Sequence, residues 1–239
     1  MALTRRLSLV ISILICGSLA LPAVVAAAGG GGGLGPGSYT FVNTTAAAQF
    51  GTFNDPTQPP NGFAIFVDKG LNSFQPKKSP PQVSESTIVN LDIVGPNGGG
   101  SFCFVLSDPS QFQIRSNLQS ASLHALLRAE DQCTFGGPVT GSARHAPFAG
   151  GGGPGLQPPF QVDVTWTGTG VTGAGKDRGT FKCGDYSTKT SNEQRTAGET
   201  STGQITGLFA STTSTTAGVL ANTTHLDISG FPKQGCFGF

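Results

Sequence analysis

The sequence predicts an all-β fold, a single β-sandwich, and three observations carry that expectation. Apolar and polar residues alternate strictly in short runs, most clearly over residues 160–167. Turn signals separate the runs, as in Gly95-Pro96-Asn97-Gly98. Charged residues make up only 11% of the chain, against about 25% in an average soluble domain, and Ser, Thr and 36 glycines supply the polar surface instead. Many short alternating strands between turns favour a sandwich. An apolar content of 37% excludes disorder driven by charge.

Residues 1–28 read as a secretory signal peptide. Arg5 and Arg6 open it, an apolar run covers 7–25, and Ala26 and Ala28 place cleavage after Ala28. The rival is a retained anchor, because the run approaches the ~20 residues that span a bilayer. Pro22 and the small residues before Gly29 favour cleavage. Ser8 stands where a twin-arginine signal carries an aromatic residue, and Ile15 precedes Cys16 where a lipoprotein signal carries a small one, so a general secretory signal is expected. No transmembrane segment is expected after cleavage, and the mature protein is placed outside the cell or on the exterior of its envelope.

Cleavage removes Cys16 and leaves Cys103, Cys133, Cys183 and Cys236, an even number in an oxidising compartment, which predicts two disulfides. Three pairings are open. Cys103–Cys133 with Cys183–Cys236 is favoured because strands close in sequence tend to be neighbours. A zinc site built from all four lacks the C-x-x-C knuckle. Of 14 basic residues two leave with the signal, so 12 face 13 acids. That balance carries no electrostatic footprint for nucleic acid or an anionic membrane.

Residues 29–37 are expected to be a flexible Gly-rich tether and residues 38–239 the folded domain. The first strand starts at Ser38-Tyr39-Thr40-Phe41. Phe63, Ile65 and Val67 share one parity, as do Val89, Leu91 and Ile93 with Asn90 and Asp92 outward. After the turn at 95–98 the chain returns as a strand over 101–106. Along 160–167, Phe160, Val162, Val164 and Trp166 point one way and Gln161, Asp163, Thr165 and Thr167 the other. Further strands are expected at 179–186, 204–209 and 223–229. Residues 122–130 alternate through Leu123, Ala125, Leu127 and Ala129 and read as a strand, with a short helix as the alternative. The Pro-rich stretches 56–60 and 76–81 and the tract 150–159 read as loops.

Val162-Asp163-Val164-Thr165-Trp166-Thr167-Gly168-Thr169-Gly170, followed by Gly179-Thr180-Phe181-Lys182-Cys183, resembles a group of uncharacterised exported bacterial proteins that share a V-x-V-T-W-T-G-T-G strand and a later cysteine-bearing hairpin. The resemblance implies a secreted β-rich protein and carries over no functional residue.

The chemical motifs are weak. Gly168 to Gly173 matches G-x-G-x-x-G and Gly170 to Lys176 begins a P-loop, but a turn-forming stretch follows the first and Asp177 stands where the second needs Ser or Thr, so both read as hairpin turns. His124, His145 and His225 form no close pairing with one another, and a site would require two of them to converge with an acid such as Asp92, Asp163 or Asp227. His225 and Asp227 share a face opposite Leu226 and Ile228 and read as solvated. Glu193 and Glu199 lie in a Thr/Ser-rich hairpin and, with Glu85 and Glu130, are the only glutamates for paired-carboxylate chemistry. Trp166 shares the core parity, so it reads as a core residue before a sugar platform. Asn43-Thr44-Thr45 and Asn222-Thr223-Thr224 are glycosylation acceptor patterns. No catalytic, cofactor-binding or metal-ligating residue is assigned, and no cofactor is expected. The functional expectation is a secreted or envelope-associated, non-enzymatic β-rich protein with a structural or binding role, its partner an extracellular polymer or surface component. A carbohydrate-binding module or adhesin and an extracellular hydrolase are the alternatives.

Overall fold

The computed structural model describes residues 35–52, 61–76, 80–95, 98–133, 156–231 and 236. Among them are ten strands and no α-helix: β1 (Gly37–Gly51), β2 (Gly62–Pro76), β3 (Gln82–Gly95), β4 (Gly98–Val105), β5 (Phe112–Ile114), β6 (Ser120–Leu127), β7 (Phe160–Gly168), β8 (Gly173–Cys183), β9 (Tyr186–Ile205) and β10 (Phe209–Ser229). Short 3₁₀ turns occupy Pro109–Gln111 and Ala129–Asp131.

All ten strands join one antiparallel sheet in the order β4-β3-β2-β1-β10-β9-β7-β6-β5, with β8 on β9 beside the end of β7. Apart from β8 this is the chain order, brought round on itself by the pairing of β1 with β10 and left open between β4 and β5. Gly184 (φ 60°) and Gly207 (φ 81°) supply the left-handed residues of the two tight turns that flank β9.

The sheet curls until its two halves pack face to face, which makes the fold sandwich-like. Phe102 and Phe104 of β4 meet Phe160 of β7 edge-on, with ring centroids 5.0 and 6.3 Å apart. Trp166 of β7, fully buried, crosses the interior and donates its Nε1–H to the Ala47 carbonyl of β1 at 3.0 Å. The Phe50 ring lies so close over Gly203 of β9 that a Cβ there would stand 2.5 Å from it, so only glycine fits. On the open side, the turn Ala129–Asp131 carries the chain from β6 to the free edge of β4. There Gln132 bridges Phe104, the Cys133 N–H donates to the Cys103 carbonyl at 2.9 Å, and the Cys103–Cys133 disulfide staples the contact. A covalent bond stands where a closed ring would have a strand pair.

The all-β expectation holds, and the inward sets on β2, β3 and β7 are buried as their parity predicts. Residues 122–127 are strand, followed by the 3₁₀ turn, so the helix alternative does not form. Both favoured disulfides, Cys103–Cys133 and Cys183–Cys236, are present. Four boundaries are corrected. The strand expected over 179–186 is two strands around a turn at Gly184 and Asp185, and that over 204–209 is likewise broken by the turn at 206–208. Residues 173–176, read as a turn, begin β8. Their glycines suggested bends, but on a half-exposed edge strand glycine has no side-chain packing to lose. Gly37, expected at the end of the tether, begins β1. The signal peptide, residues 29–34, the stretch 56–60, His145 and residues 150–155 lie outside the described residues.

Candidate binding face

Five strands are longer than the core requires. β1, β2 and β3 run 15, 15 and 14 residues, and β9 and β10 run 20 and 21. A 20-residue strand spans about 65–70 Å, and the main core uses only one end of it. On β1 that end carries Ala46, Ala48 and Phe50, packed with Phe63, Ile65 and Val67 of β2 and Ala217, Val219 and Ala221 of β10.

Towards the other end the apolar side changes face. Tyr39 and Phe41 have the opposite parity to Ala46, Ala48 and Phe50, and the register of β1 with both neighbours is unbroken. They therefore lie on the outer side of the sheet, where Tyr39, Tyr186, Leu226 and Ile228 form a second buried cluster with Phe41 and Phe74 against it. The Tyr39 and Phe74 rings stack with centroids 4.3 Å apart, and the Tyr39 hydroxyl donates to the Gly35 carbonyl at 2.7 Å. Cys183 pairs across the hairpin turn with Tyr186, so the Cys183–Cys236 disulfide attaches on this outer face.

The inner face of the extension is polar as a result. On the β8–β9 hairpin the pairs Ala174 with Arg195, Lys176 with Glu193, Arg178 with Ser191, Thr180 with Lys189, and Lys182 with Ser187 all share it. Lys176, Arg178, Lys182, Lys189 and Arg195 are thus on one face of one hairpin, five of the eight lysines and arginines among the described residues. Glu193 neutralises part of the group. Lys176 Nζ lies 2.8 Å from its carboxylate and Arg195 Nε 3.7 Å, and the Lys176 hydrogen bond and charge hold its carboxyl below the usual range. Arg195 also donates to the Ser116 carbonyl at 2.7 Å. Arg178, Lys182 and Lys189 have no ion-pair partner among the described residues. The next strand, β10, adds His225 and Asp227 to the same face, bonded to Thr40 and Ser38 of β1.

The other sequence candidates are scattered. His124 does meet Asp163: its Nδ1 lies 3.0 Å from Asp163 Oδ1, and Gln204 Nε2 donates to Asp163 Oδ2 at 3.3 Å. This trio lies on the exposed outer side of β6, β7 and β9, with Thr165 and Thr202 beside it. His225 and Asp227 are exposed, as their parity predicts, and Asp92 is exposed on β3. His124 and His225 do not converge, and no three His, Cys, Asp or Glu side chains among the described residues could hold a metal ion. The stretch 168–176 ends β7 and begins β8, with no helix to receive a phosphate. Asn43 and Asn222 face each other on the paired strands β1 and β10, and Asn43 Oδ1 is buried, a poor setting for glycan attachment. No helix among the described residues is long and apolar enough to cross a membrane.

Glu199, named in the sequence only as a glutamate of a Thr/Ser-rich hairpin, is buried. Only 6% exposed, it points into the core from β9, opposite Gly168 of β7 and Ala217 of β10. A Cβ on Gly168 would stand 2.8 Å from its Cγ, so the glycine makes room for it. Neither carboxylate oxygen has a hydrogen-bond partner, and burial pushes its carboxyl up to about 7. No charged side chain shares that face on β7, and none flanks Glu199 on β10; the nearest on β9 are Arg195 and Glu193, already engaged. Glu193 is six residues away on the same face, about 20 Å along the strand, well beyond the roughly 5–9.5 Å of a glycosidase carboxylate pair. The signal for its burial was its parity with Ala197 and Ile205, masked because the intervening inward positions are Ser201 and Gly203.

Glu199 makes stability depend on pH in a fixed direction. The unfolded chain ionises near 4.5 and the folded chain near 7, so the folded state holds the proton more tightly. Its contribution is constant below about pH 4.5, falls as pH rises through 4.5–7, and is constant again above. A loss of about 1–3 kcal/mol between pH 4.5 and 8 is expected from this group. Urea unfolding across that range checks it, and Glu199→Gln should remove that part of the decline.

No family model, curated protein or solved structure matches the chain.

Proposed function

We propose that the protein is exported, is not an enzyme, and works by binding through the open, basic end of its sheet. The observation that carries this reading is the segregation of charge: a chain with 14 basic and 13 acidic residues collects five of its eight described cations on one face of the β8–β9 hairpin. Core packing does not require this, because β8 buries nothing and the strands continue past the main core. The disulfide Cys183–Cys236 anchors the end of the same hairpin, which keeps the face preorganised. Two disulfides fit an oxidising compartment, in keeping with the signal-peptide layout of residues 1–28.

The large exposed aromatic side chains among the described residues are Phe181 and Phe231, and Trp166 is in the core, so a stacking row for neutral sugars has no support. The test is adsorption of the oxidised chain from Gly29 onward to envelope material isolated from its host. Salt-dependent adsorption that falls several-fold when Lys176, Arg178, Lys182 and Lys189 become glutamine supports the reading. Adsorption unchanged by those four substitutions would overturn it.

A further inference from the structure

We infer that the β8–β9 face binds a linear acidic polysaccharide along the line of Arg178, Lys189 and Lys182, an inference that rests on the binding reading above. Cross-strand diagonal neighbours stand about 7–8 Å apart. Lys189 lies opposite Thr180, so it is the diagonal neighbour of both Arg178 and Lys182. The three cations therefore form a zigzag with a spacing of about 7–8 Å, and none has an ion-pair partner among the described residues. Like charges at this separation repel one another, and anionic groups laid along β8 relieve the repulsion at each position.

Two features of the same face select the kind of polyanion. Ser187, Ser191 and Thr180 alternate with the cations and offer hydroxyls that can both donate to carboxylates and accept from sugar hydroxyls. The face carries no aromatic side chain on β8 or β9 for stacking bases. Nor does it carry an apolar anchor for a bilayer there: the exposed apolar side chains Leu71 and Val83 are on β2 and β3, on the far side of β10 and β1. Among the described residues outside this face, Lys69, Arg115 and Arg128 are outnumbered by acids, so the hairpin is the cationic part of the described surface, with Asp227 of β10 opposite Lys189 at its border.

The experiment measures retention of the oxidised chain from Gly29 onward on immobilised heparin and on immobilised polygalacturonate, against neutral dextran, over a series of salt concentrations. The expected result is retention on both acidic polymers and none on dextran, with affinity falling linearly on a logarithmic salt scale. The Arg178→Gln/Lys182→Gln/Lys189→Gln variant should lose that retention and lower the salt slope by about three. The control Lys69→Gln/Arg115→Gln/Arg128→Gln removes the same charge elsewhere and should behave as the parent. Circular dichroism and the intact mass confirm that each variant is folded and oxidised. Equal losses in variant and control would overturn the inference, as would tighter binding to inorganic polyphosphate or duplex DNA than to either polysaccharide. Hairpin-dependent adsorption to the envelope that neither acidic polysaccharide competes away would refute the partner class and leave the binding reading standing.

Discussion

Trp166→Ala should lower the free energy of unfolding by about 4–5 kcal/mol, the upper part of the range for removing a large buried aromatic. The indole is fully buried, stands edge-on to Phe112 with ring centroids 6.4 Å apart, and reaches from β7 to the Ala47 carbonyl of β1. These strands are not neighbours, since β9 and β10 lie between them in the sheet. The side chain therefore joins the two packed halves directly. Its removal leaves a cavity and loses the hydrogen bond to Ala47, a contribution of about 0.5–1.5 kcal/mol. For a chain of this size each kcal/mol moves the melting temperature by about 2–4 °C, so a fall of roughly 8–20 °C is expected by calorimetry. Trp166→Phe separates the two contributions. It keeps most of the ring and loses the N–H, and should cost distinctly less.

Removing the Cys103–Cys133 bridge as a Cys103→Ala/Cys133→Ala pair should cost about 3–4 kcal/mol. The bridge closes a loop of 30 residues, and loop-closure entropy alone sets that scale. The effect should also be local. This bond and the contacts of Gln132 and Cys133 are what hold the free edge of β4, so hydrogen exchange should rise in β4 and β5 more than in β9 and β10. Removing Cys183–Cys236, with a separation of 53 residues, should cost about as much or slightly more. Its exchange signature should fall at the hairpin end of β8 and β9 instead. Exchange that rises uniformly in both variants would count against this division of labour.

Much of the core was legible. Strict alternation marked β2, β3 and β7 because each has one face against the core and one against water, the condition under which a period of two is written into the residues. The same reasoning failed on β9 and β10. It found only residues 223–229 of β10 and took the stretch around Glu193 and Glu199 of β9 as a Thr/Ser-rich hairpin; on β10 the apolar side switches faces midway, from Ala217, Val219 and Ala221 inside to Leu226 and Ile228 outside. A strand that changes its buried side shows no sustained period. The stretch after Gly168 was read as turn-forming, whereas from Gly173 it is the strand β8, because its pairing with β9 and not its glycine content sets the backbone there.

By itself, then, the sequence established a β-rich chain with paired cysteines and Trp166 in the core, all properties that depend on local alternation, composition and count. Only the tertiary structure decided which side of each long strand is buried, that Glu199 points inward beside Gly168, and that Lys176, Arg178, Lys182, Lys189 and Arg195 share a face. The physical reason is register. Which residues stand opposite one another is settled by pairing across the sheet, and a shift of one residue in that pairing would send each of these side chains to the other face.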